Sequence, residues 1–427
     1  MPPDALMEKD GGNNSALQIA LREVEPVEVA IELAELLAAE LPTEALKATN
    51  LNGDTALHLA SQDKIGNNGI QIIATLCQRL EPDNIAEGTL AEGEGEGGFT
   101  ALHFAALHGR FLIFKIVIAK MTLEGALQPS FEGDTALHLA SKFGHFNIVE
   151  YLVTHIYSKV PVGHLEDPND KRETPLQLAS SFCLNEFLEV IELLLRRLPQ
   201  AGLSEKIPER TLVWAAKKGN LEFAKFLLDN MADDRKDERE EGTDNTALHA
   251  ALVAAHFELA EMLATKLPIE VLRMENCRKN TALHMAARLG DGTRHVISML
   301  GQRLYQDDLM AVNGDESTPL HLACTMGHYL CAETLISCPK MTYEGLIYRD
   351  SRGNTPLHLA VQWDNERIMK LLLDKLPLEG LYPRNKNNFS PLDLAKNARK
   401  KEAIQLIKQA MQKKYRSRGL HIKFRFF

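Results

Sequence analysis

The chain has 427 residues, more than the roughly 250–300 at which a single hydrophobic core stops growing. Hydrophobic residues make up 45% and charged residues 25%, which excludes a disordered or fibrous protein and predicts several domains or a repeat array. The net charge is −10, but the last 32 residues hold eleven Lys or Arg against one Glu, a net of +10 that leaves −20 for residues 1–395. Because phosphate backbones are bound by clustered Lys and Arg, this acidic body disfavours nucleic acid as a partner.

No stretch approaches the roughly 18 uninterrupted apolar residues of a membrane span, and the first nine residues lack the basic and apolar regions of a secretory signal. Six cysteines include no CxxC pair and are too sparse for a disulfide framework in a chain of this size. We therefore expect a soluble cytoplasmic protein with reduced thiols.

One hexapeptide, Thr-Ala/Pro-Leu-His-x-Ala, recurs along nearly the whole chain. Its seven regular copies begin at Thr55, Thr100, Thr135, Thr246, Thr281, Thr318 and Thr355. Four degenerate copies begin at Ser15, Thr174, Arg210 and Ser390. The eleven copies lie 35 to 45 residues apart, a period that is typical of stacked structural repeats.

Each hexapeptide is predicted to begin a helix. Thr is a good helix N-cap and Pro suits the first helical position, while Leu and the final Ala face neighbouring helices. The His is expected to bond back to the Thr cap, as in a capping box, and across to the next loop. Its repetition favours this structural role over metal binding or catalysis. Several copies have a Gly nine positions after the Thr, which suits a left-handed helix stop: Gly109, Gly144, Gly219, Gly290 and Gly327.

A second helix is predicted after each stop. In the fourth copy, Phe146, Val149 and Leu152 recur at helical spacing. Many second helices end in a Leu-Pro segment such as Leu41–Leu46 or Leu376–Leu381. Pro discourages continuation of the helix, so this segment predicts a short extra turn whose last Leu tucks under the outgoing loop.

The hexapeptide and the Gly that follows it resemble the ankyrin repeat over about residues 13–411. The resemblance implies an all-α fold, an ankyrin-like solenoid of stacked helix-turn-helix repeats. We divide the chain into an N-terminal capping repeat (1–46), an array of about nine repeats (47–389), a C-terminal capping repeat (390–411) and a basic, aromatic tail (412–427).

Two features depart from the ankyrin pattern. We call the turn that precedes each first helix the finger. Two positions before the hexapeptide, the usual Gly of the finger is replaced by Arg172, Lys279, Glu316 and Asn388, which predicts altered fingers there. Two polar inserts are expected at the surface: a flexible, Gly-rich one at 87–98 and a highly charged one at 233–244.

The resemblance also implies where a partner binds. In ankyrin-like stacks, the fingers and the positions seven and eight residues after the Thr line a concave face, and exposed aromatic and Arg side chains there are typical of interface hot spots. The alternative is that some of the aromatic residues pack against a neighbouring repeat. The candidate partner-binding residues are Phe99, Phe131, Lys142, Phe143, Phe182, Arg288, Met326, Arg349, Arg352, Gln362, Trp363 and Phe389.

We interpret the chain as a monomeric, non-enzymatic scaffold that binds a protein partner and needs no cofactor or metal. The residue types of His321, Cys324, His328, Cys331 and Cys338 suit zinc, but their places in the repeat favour core residues instead. One alternative is a secreted effector of an intracellular bacterium, which would engage a host protein in the host cytoplasm. Another is an enzyme with its site hidden in the repeats. The tail suits an anionic membrane, an import signal, the acidic body or solvent.

Overall fold

A computed structural model describes residues 8–23, 27–62, 69–88, 97–181 and 184–417. These residues form helices and no strand, and an isolated β-bridge joins Glu275 to Thr281. The chain divides into two compact units, Met1–Pro208 and Glu209–Phe427. When repeats are numbered by their hexapeptides, the first unit holds repeats 1 to 5 and the second holds repeats 6 to 11.

The first helix of each repeat begins one residue after the start of the hexapeptide, as predicted. Thr, Ser or Arg stays outside the helix because its side chain or backbone caps it. The first helices are Ala16–Glu23, Ala56–Ser61, Ala101–Leu107, Ala136–Lys142, Pro175–Ser181, Thr211–Lys218, Ala247–Val253, Ala282–Leu289, Pro319–Met326, Pro356–Gln362 and Pro391–Asn397.

The second helix of each repeat carries apolar residues at helical spacing, so one face is buried. In repeat 4 this helix changes form, from an α-helix to a π-helix (Leu152–Ile156) and then to a 3₁₀ turn (Tyr157–Lys159). The second helices are Val27–Glu40, Ile70–Arg79, Phe111–Ile118, Phe146–Tyr151, Leu184–Arg197, Leu221–Asn230, Phe257–Lys266, Arg294–Arg303, Tyr329–Ser337, Glu366–Lys375 and Lys401–Ser417.

A third, short helix closes repeats 1 to 10, including those in which a Leu-Pro segment predicts an extra turn. Its last apolar residue is buried in repeats 1, 7 and 10, since Leu46, Leu272 and Leu381 are at most 1% exposed. This extra turn explains why the period exceeds that of a plain helix pair. The short helices are Thr43–Leu46, Pro82–Ile85, Leu123–Leu127, Val162–Glu166, Leu203–Lys206, Asp233–Arg235, Ile269–Leu272, Gln306–Leu309, Tyr343–Leu346 and Leu378–Leu381, and one further 3₁₀ turn, Asp291–Thr293, precedes the second helix of repeat 8.

The core of each unit runs between consecutive repeats. Within a unit, each first helix packs on the first helix of the next repeat, and each second helix on the next second helix. The Leu and final Ala of the hexapeptide lie at these contacts: Leu57 is 1% exposed and Ala60 is 0% exposed. Small Ala side chains allow the helices to approach closely, so one hexapeptide specifies both the helix and its packing.

The last helix corrects one predicted boundary. Lys401–Ser417 continues through position 411, where the sequence places the end of the capping repeat and the start of the tail. Met411 is 4% exposed, and the Tyr415 hydroxyl bonds to that of Tyr382, so packing carries the helix onward. The rest of the tail, 418–427, lies outside the described residues. Among those described, none of the helices has the length and apolar character that crossing a membrane requires.

The charged insert at 233–244 is folded against repeat 6 rather than fully exposed. Glu240 pairs with Lys217 at 2.6 Å and Glu241 with Arg210 at 2.8 Å. Glu238 lies 3.1 Å from Arg235, and burial raises its pKa to about 7. Most of the Gly-rich insert at 87–98 falls on residues 89–96, outside those described.

Candidate binding surface

The hexapeptide histidine closes a reciprocal cap at the start of each regular first helix, as predicted. In repeat 2 the backbone N–H of Thr55 donates to His58 Nδ1 at 3.0 Å, and the N–H of His58 faces the Thr55 hydroxyl at 3.4 Å. This leaves the proton on Nε2, which donates across to the carbonyl of Glu87 at 2.8 Å. Repeats 7 to 10 form the same bond to the next loop, whereas Nε2 of His103 and His138 has no partner among the described residues.

Burial keeps these histidines neutral. Desolvation disfavours the imidazolium ion and outweighs the nearby backbone groups that favour it. Burial lowers the pKa of His58, His103, His249, His284 and His358 to about 4, and it also lowers the pKa of His138 and His321. A group that is neutral, buried and hydrogen-bonded in a helix cap has a structural role.

The finger turns keep one geometry whether or not they contain glycine, so the predicted change of geometry is wrong. Gly353 has φ 76°, and Glu316 and Lys279 at the same position have φ 56° and 57°. In each of these turns the residue with positive φ donates its N–H to the carbonyl three residues earlier. Non-glycine residues reach the left-handed region here because the turn and its neighbours hold them there.

Consecutive fingers are joined within each unit by two sets of hydrogen bonds. Backbone bonds link one tip to the next, for example Gly314 N–H to the Arg278 carbonyl at 3.1 Å. A second set of bonds joins side chains. The Asn five residues before one hexapeptide donates its amide N–H to the side chain just before the preceding hexapeptide. These bonds are Asn169 to Asp134, Asn276 to Asn245, Asn313 to Asn280 and Asn385 to Asn354. The sequence interpretation missed these residues, although Asn and Asp recur at both positions.

The ends of the first helices are held by the following repeat. His145 Nε2 bonds to the carbonyl of Leu107 at 3.0 Å, and His328 Nε2 bonds to that of Arg288 at 3.0 Å. Asn365 donates to the Cys324 carbonyl at 2.6 Å in the same way. Terminal helix carbonyls lack intrahelical donors, so these bonds satisfy them and fix the helix ends in place.

In the first unit, two of the candidate residues around repeat 4, Phe131 and Phe143, are exposed, and Lys142 is half-buried. Phe131, at the finger tip, is 64% exposed, and its ring lies against Gly98 of the preceding finger. Phe143 is 44% exposed, with the Lys142 ammonium 5.7 Å from its ring centroid. Phe182 lies outside the described residues.

Phe99 is a correction, because it is 3% exposed and cannot present its ring to a partner. Its ring centroid lies 5.5 Å from that of His103 and 5.4 Å from that of Phe104. The residue just before the hexapeptide is buried in other repeats too, including Asp54 and Asn280. This position therefore points between fingers, and only residues nearer the tip reach solvent.

In the second unit, most candidates are exposed at the ends of first helices or on the finger of repeat 10. Met326 is 48% exposed and Trp363 is 54% exposed. Arg288, Gln362, Arg349 and Arg352 are also exposed, whereas Phe389, just before its hexapeptide, is only half-exposed. Two further apolar residues lie at equivalent helix ends: Val253 is 55% and Leu289 is 40% exposed.

The zinc-like residues of repeat 9 are separately engaged. His321 is tied to its cap and to the carbonyl of Asn354, and His328 to the preceding repeat. Burial raises the pKa of Cys331 to about 11 and also raises the pKa of Cys324, so both thiols stay protonated. Cys331 Sγ donates to the Gly290 carbonyl at 3.1 Å. In the described part of the chain, no three His, Cys, Asp or Glu side chains are placed to hold a metal ion.

Stacked three-helix repeats that expose side chains at equivalent positions define a helical repeat protein with an extended surface. The chain belongs to the ankyrin repeat family. A model of ankyrin repeats in three copies matches residues 67–162, 124–206, 182–275 and 269–345, and a single ankyrin repeat model matches residues 352–376.

Individual relatives are distant. The chain is 26% identical over 127 residues to the target of rapamycin complex 2 subunit AVO2 of Saccharomyces cerevisiae, an alignment that spans 30% of this chain and 27% of that protein. An ankyrin repeat domain from Acinetobacter baumannii AYE is 22% identical, with a TM-score of 0.40 over 47% of this chain and 97% of its own. The ankyrin repeat protein EF0377 is 18% identical, with a TM-score of 0.41 over 47% of this chain and 98% of its own.

Proposed function

We propose that this chain is a non-catalytic protein-binding module, and that its second unit binds an apolar segment of a partner that also carries acidic side chains. The observation that carries the proposal is a series of exposed apolar residues at the ends of four consecutive first helices. We call Val253, Leu289, Met326 and Trp363 the apolar row; they are 40% to 55% exposed. The first helices that carry them pack on one another in sequence.

The apolar row suits a partner because it places adaptable and aromatic groups on a rigid support. Exposed apolar residues at recurring positions indicate an interaction surface more strongly than scattered ones. Met adapts to irregular shapes, and Trp is among the residues most often found at hot spots. Since the helix ends are tied to the following repeats, little conformational entropy is lost on binding.

The positive charges near the apolar row indicate that the partner also carries acidic side chains. Arg288 directly precedes Leu289 of the apolar row in the sequence. Arg349 and Arg352 are exposed on the finger of repeat 10. Guanidinium groups bind carboxylates with paired hydrogen bonds. A segment that combines apolar anchors with Asp or Glu would therefore complement this surface.

The exposed residues around repeat 4 offer a smaller surface on the first unit. Phe131 and Phe143 supply two rings, and Lys142 lies beside the second. We propose this pair as an additional contact for the same class of partner.

The test uses peptides selected on the wild-type chain from a displayed random library, with affinities measured by fluorescence anisotropy. Selected peptides are expected to be rich in apolar and acidic residues. The double variant Met326→Asp/Trp363→Asp should bind them about tenfold or more weakly, because it places carboxylates in the apolar row. Leu112→Asp is the matched control, since Leu112 is also 54% exposed but lies on a second helix. Equal affinity of the double variant and the control would refute the proposed site.

A further inference from the structure

The second helix of repeat 4 is longer than those of repeats 7 and 10. In repeats 7 and 10, ten residues (Phe257–Lys266 and Glu366–Lys375) precede the Leu-Pro pair. In repeat 4, segments of six, five and three residues precede the corresponding Val160 and Pro161. Repeats 1 and 5 place 14 residues before their Leu-Pro pairs in one continuous α-helix (Val27–Glu40 and Leu184–Arg197), whereas repeat 4 passes into the π-helix Leu152–Ile156 and a 3₁₀ turn.

The π-helix keeps the core of repeat 4 in register. Leu152, Val153 and Ile156 remain buried, so the helix still packs through its wider turn. A π-helix has poorer backbone geometry than an α-helix and is rare, yet it occurs frequently at functional sites. Thr154 and His155 lie on this π-helix.

A cavity of about 440 Å³ lies beside this helix, between repeats 3 and 4. Repeat 3 contributes Thr122 to its wall, and the altered helix contributes His155, Ser158 and Lys159. Ile118, Met121, Leu123 and Ile156 form an apolar part of the lining. The described residues of the wall include hydroxyls, an imidazole and an ammonium group but no carboxylate.

Lys159 directly precedes the Val160-Pro161 pair, as Lys266 directly precedes Leu267-Pro268 in repeat 7. Lys266 pairs with Asp229 at 2.7 Å, and Lys413 pairs with Asp374 at 3.5 Å. Each of these aspartates is the ninth residue counted from the start of its second helix. In repeat 3 the same count ends at Ala119, so the chain supplies no carboxylate at that position for a lysine of repeat 4.

The polar groups of the wall are oriented by bonds to the backbone. His155 Nδ1 lies 3.2 Å from the carbonyl of Tyr151, and the two rings stack with centroids 4.4 Å apart. The Thr122 hydroxyl accepts the N–H of Gly125 at 3.1 Å, which leaves its own proton for a ligand. The Thr122 hydroxyl is therefore held as a donor toward an anion, whereas the Nδ1 bond of His155 leaves its Nε2 as an acceptor.

We propose that this cavity binds the phosphate group of a phosphomonoester. A phosphate presents three acceptor oxygens, which match the Lys159 ammonium and the hydroxyls of Thr122 and Ser158. The cavity is larger than inorganic phosphate, so the apolar part of its wall contacts the organic portion of the ligand. The phosphate belongs either to a small metabolite or to a phosphorylated side chain, and both present the same group.

The experiment measures ³¹P transverse relaxation of inorganic phosphate titrated with the full chain. Saturable broadening is expected, and Lys159→Gln should weaken the affinity about tenfold. Lys375→Gln is the matched control, because Lys375 also ends a second helix directly before the Leu-Pro pair. Circular dichroism confirms that each variant is folded. Equal affinities of Lys159→Gln and Lys375→Gln, or equal displacement of phosphate by acetate, would overturn the assignment.

Competition then identifies the source of the phosphate. Glycerol 3-phosphate and a short phosphoserine peptide each displace inorganic phosphate in parallel titrations. Tighter binding of the first supports a metabolite, and tighter binding of the second supports a modified protein. If neither binds more tightly than inorganic phosphate, the phosphomonoester assignment is wrong. This result is independent of the apolar row, which lies on the other unit.

Discussion

At the scale of single residues, three types of side chain accept the N–H of the cap residue at the start of the first helices. The hexapeptide histidine accepts the N–H of the cap residue, as at Thr281, which donates to His284 at 3.2 Å. In repeat 1 Gln18 takes this place and accepts from Ser15 at 2.7 Å, and in repeat 11 Asp393 accepts from Ser390. The cap requires an acceptor three residues after it, and His, Gln and Asp all supply one. Histidine also supplies a donor that reaches the next loop.

Histidine also makes stability depend on pH. Burial holds the folded pKa of His284 at about 4, whereas an unfolded chain has a histidine pKa of about 6.5. Between these values the unfolded state binds more protons. The stability is therefore complete above about pH 6.5 and is lost as the pH falls toward 4, by about 1.4 kcal/mol per pH unit for each such histidine.

The variant His284→Gln should reduce this pH dependence by one proton, because glutamine keeps the cap but does not titrate. Urea unfolding between pH 7.5 and 5 measures the free energy of unfolding, and the variant's slope should be smaller by about 1.4 kcal/mol per pH unit. An unaltered slope in His284→Gln would contradict the assignment of this proton.

At the scale of elements, the finger turn is set by its neighbours as much as by its own residues. Glu316 has φ 56°, a left-handed conformation that costs a residue with a Cβ atom about 1–2 kcal/mol. The turn persists because its N–H bonds and the bonds between consecutive finger tips hold it. Strain at one residue is offset by contacts made by others.

Replacing Glu316 by Gly should therefore stabilise the second unit. Glycine adopts this φ freely but loses more entropy on folding, so the net gain is about 0.5–1 kcal/mol. The reverse change, Gly353→Ala, should destabilise by about 1–2 kcal/mol, since its Cβ would lie 2.8 Å from the backbone nitrogen of Lys386. Chemical denaturation of both variants measures the two effects, and a loss of stability in Glu316→Gly would show that the glutamate side chain stabilises the turn.

At the scale of the whole molecule, stability is distributed over contacts between neighbouring repeats within each unit. Each repeat buries its Leu and Ala residues against the repeats on either side, and few contacts reach beyond a neighbour. Opening of a unit should therefore begin at a repeat with only one neighbour. Among the described residues, repeat 11 packs on repeat 10 alone.

Hydrogen exchange followed by mass spectrometry tests this expectation in the full chain. Amides of the first helices of repeats 8 and 9, Ala282–Leu289 and Pro319–Met326, should exchange slowest in the second unit. Those of repeat 11, Pro391–Asn397, should exchange fastest among its first helices. Uniform exchange across the unit would indicate a single cooperative opening instead.

Much of this architecture is encoded over short distances, which is why a repeated pattern predicts it. A cap at Thr55 and a histidine three residues later interact within one helical turn. The stop at Gly327, with φ 77°, follows from the same local rule. These interactions depend on spacing alone, so eleven copies predict the helices and the stacked fold without knowledge of any contact between distant residues.

The sequence alone therefore determined the helices, their caps and their stacking, whereas the tertiary structure decided which side chains remain for a partner. Phe99 and Phe131 both flank a finger, yet one is buried against two rings and the other is 64% exposed. The cavity beside Lys159 is likewise lined both by residues of the π-helix and by Ala119 of the preceding repeat. Exposure and cavities arise where separate repeats meet, and the packing of residues far apart in the chain sets them.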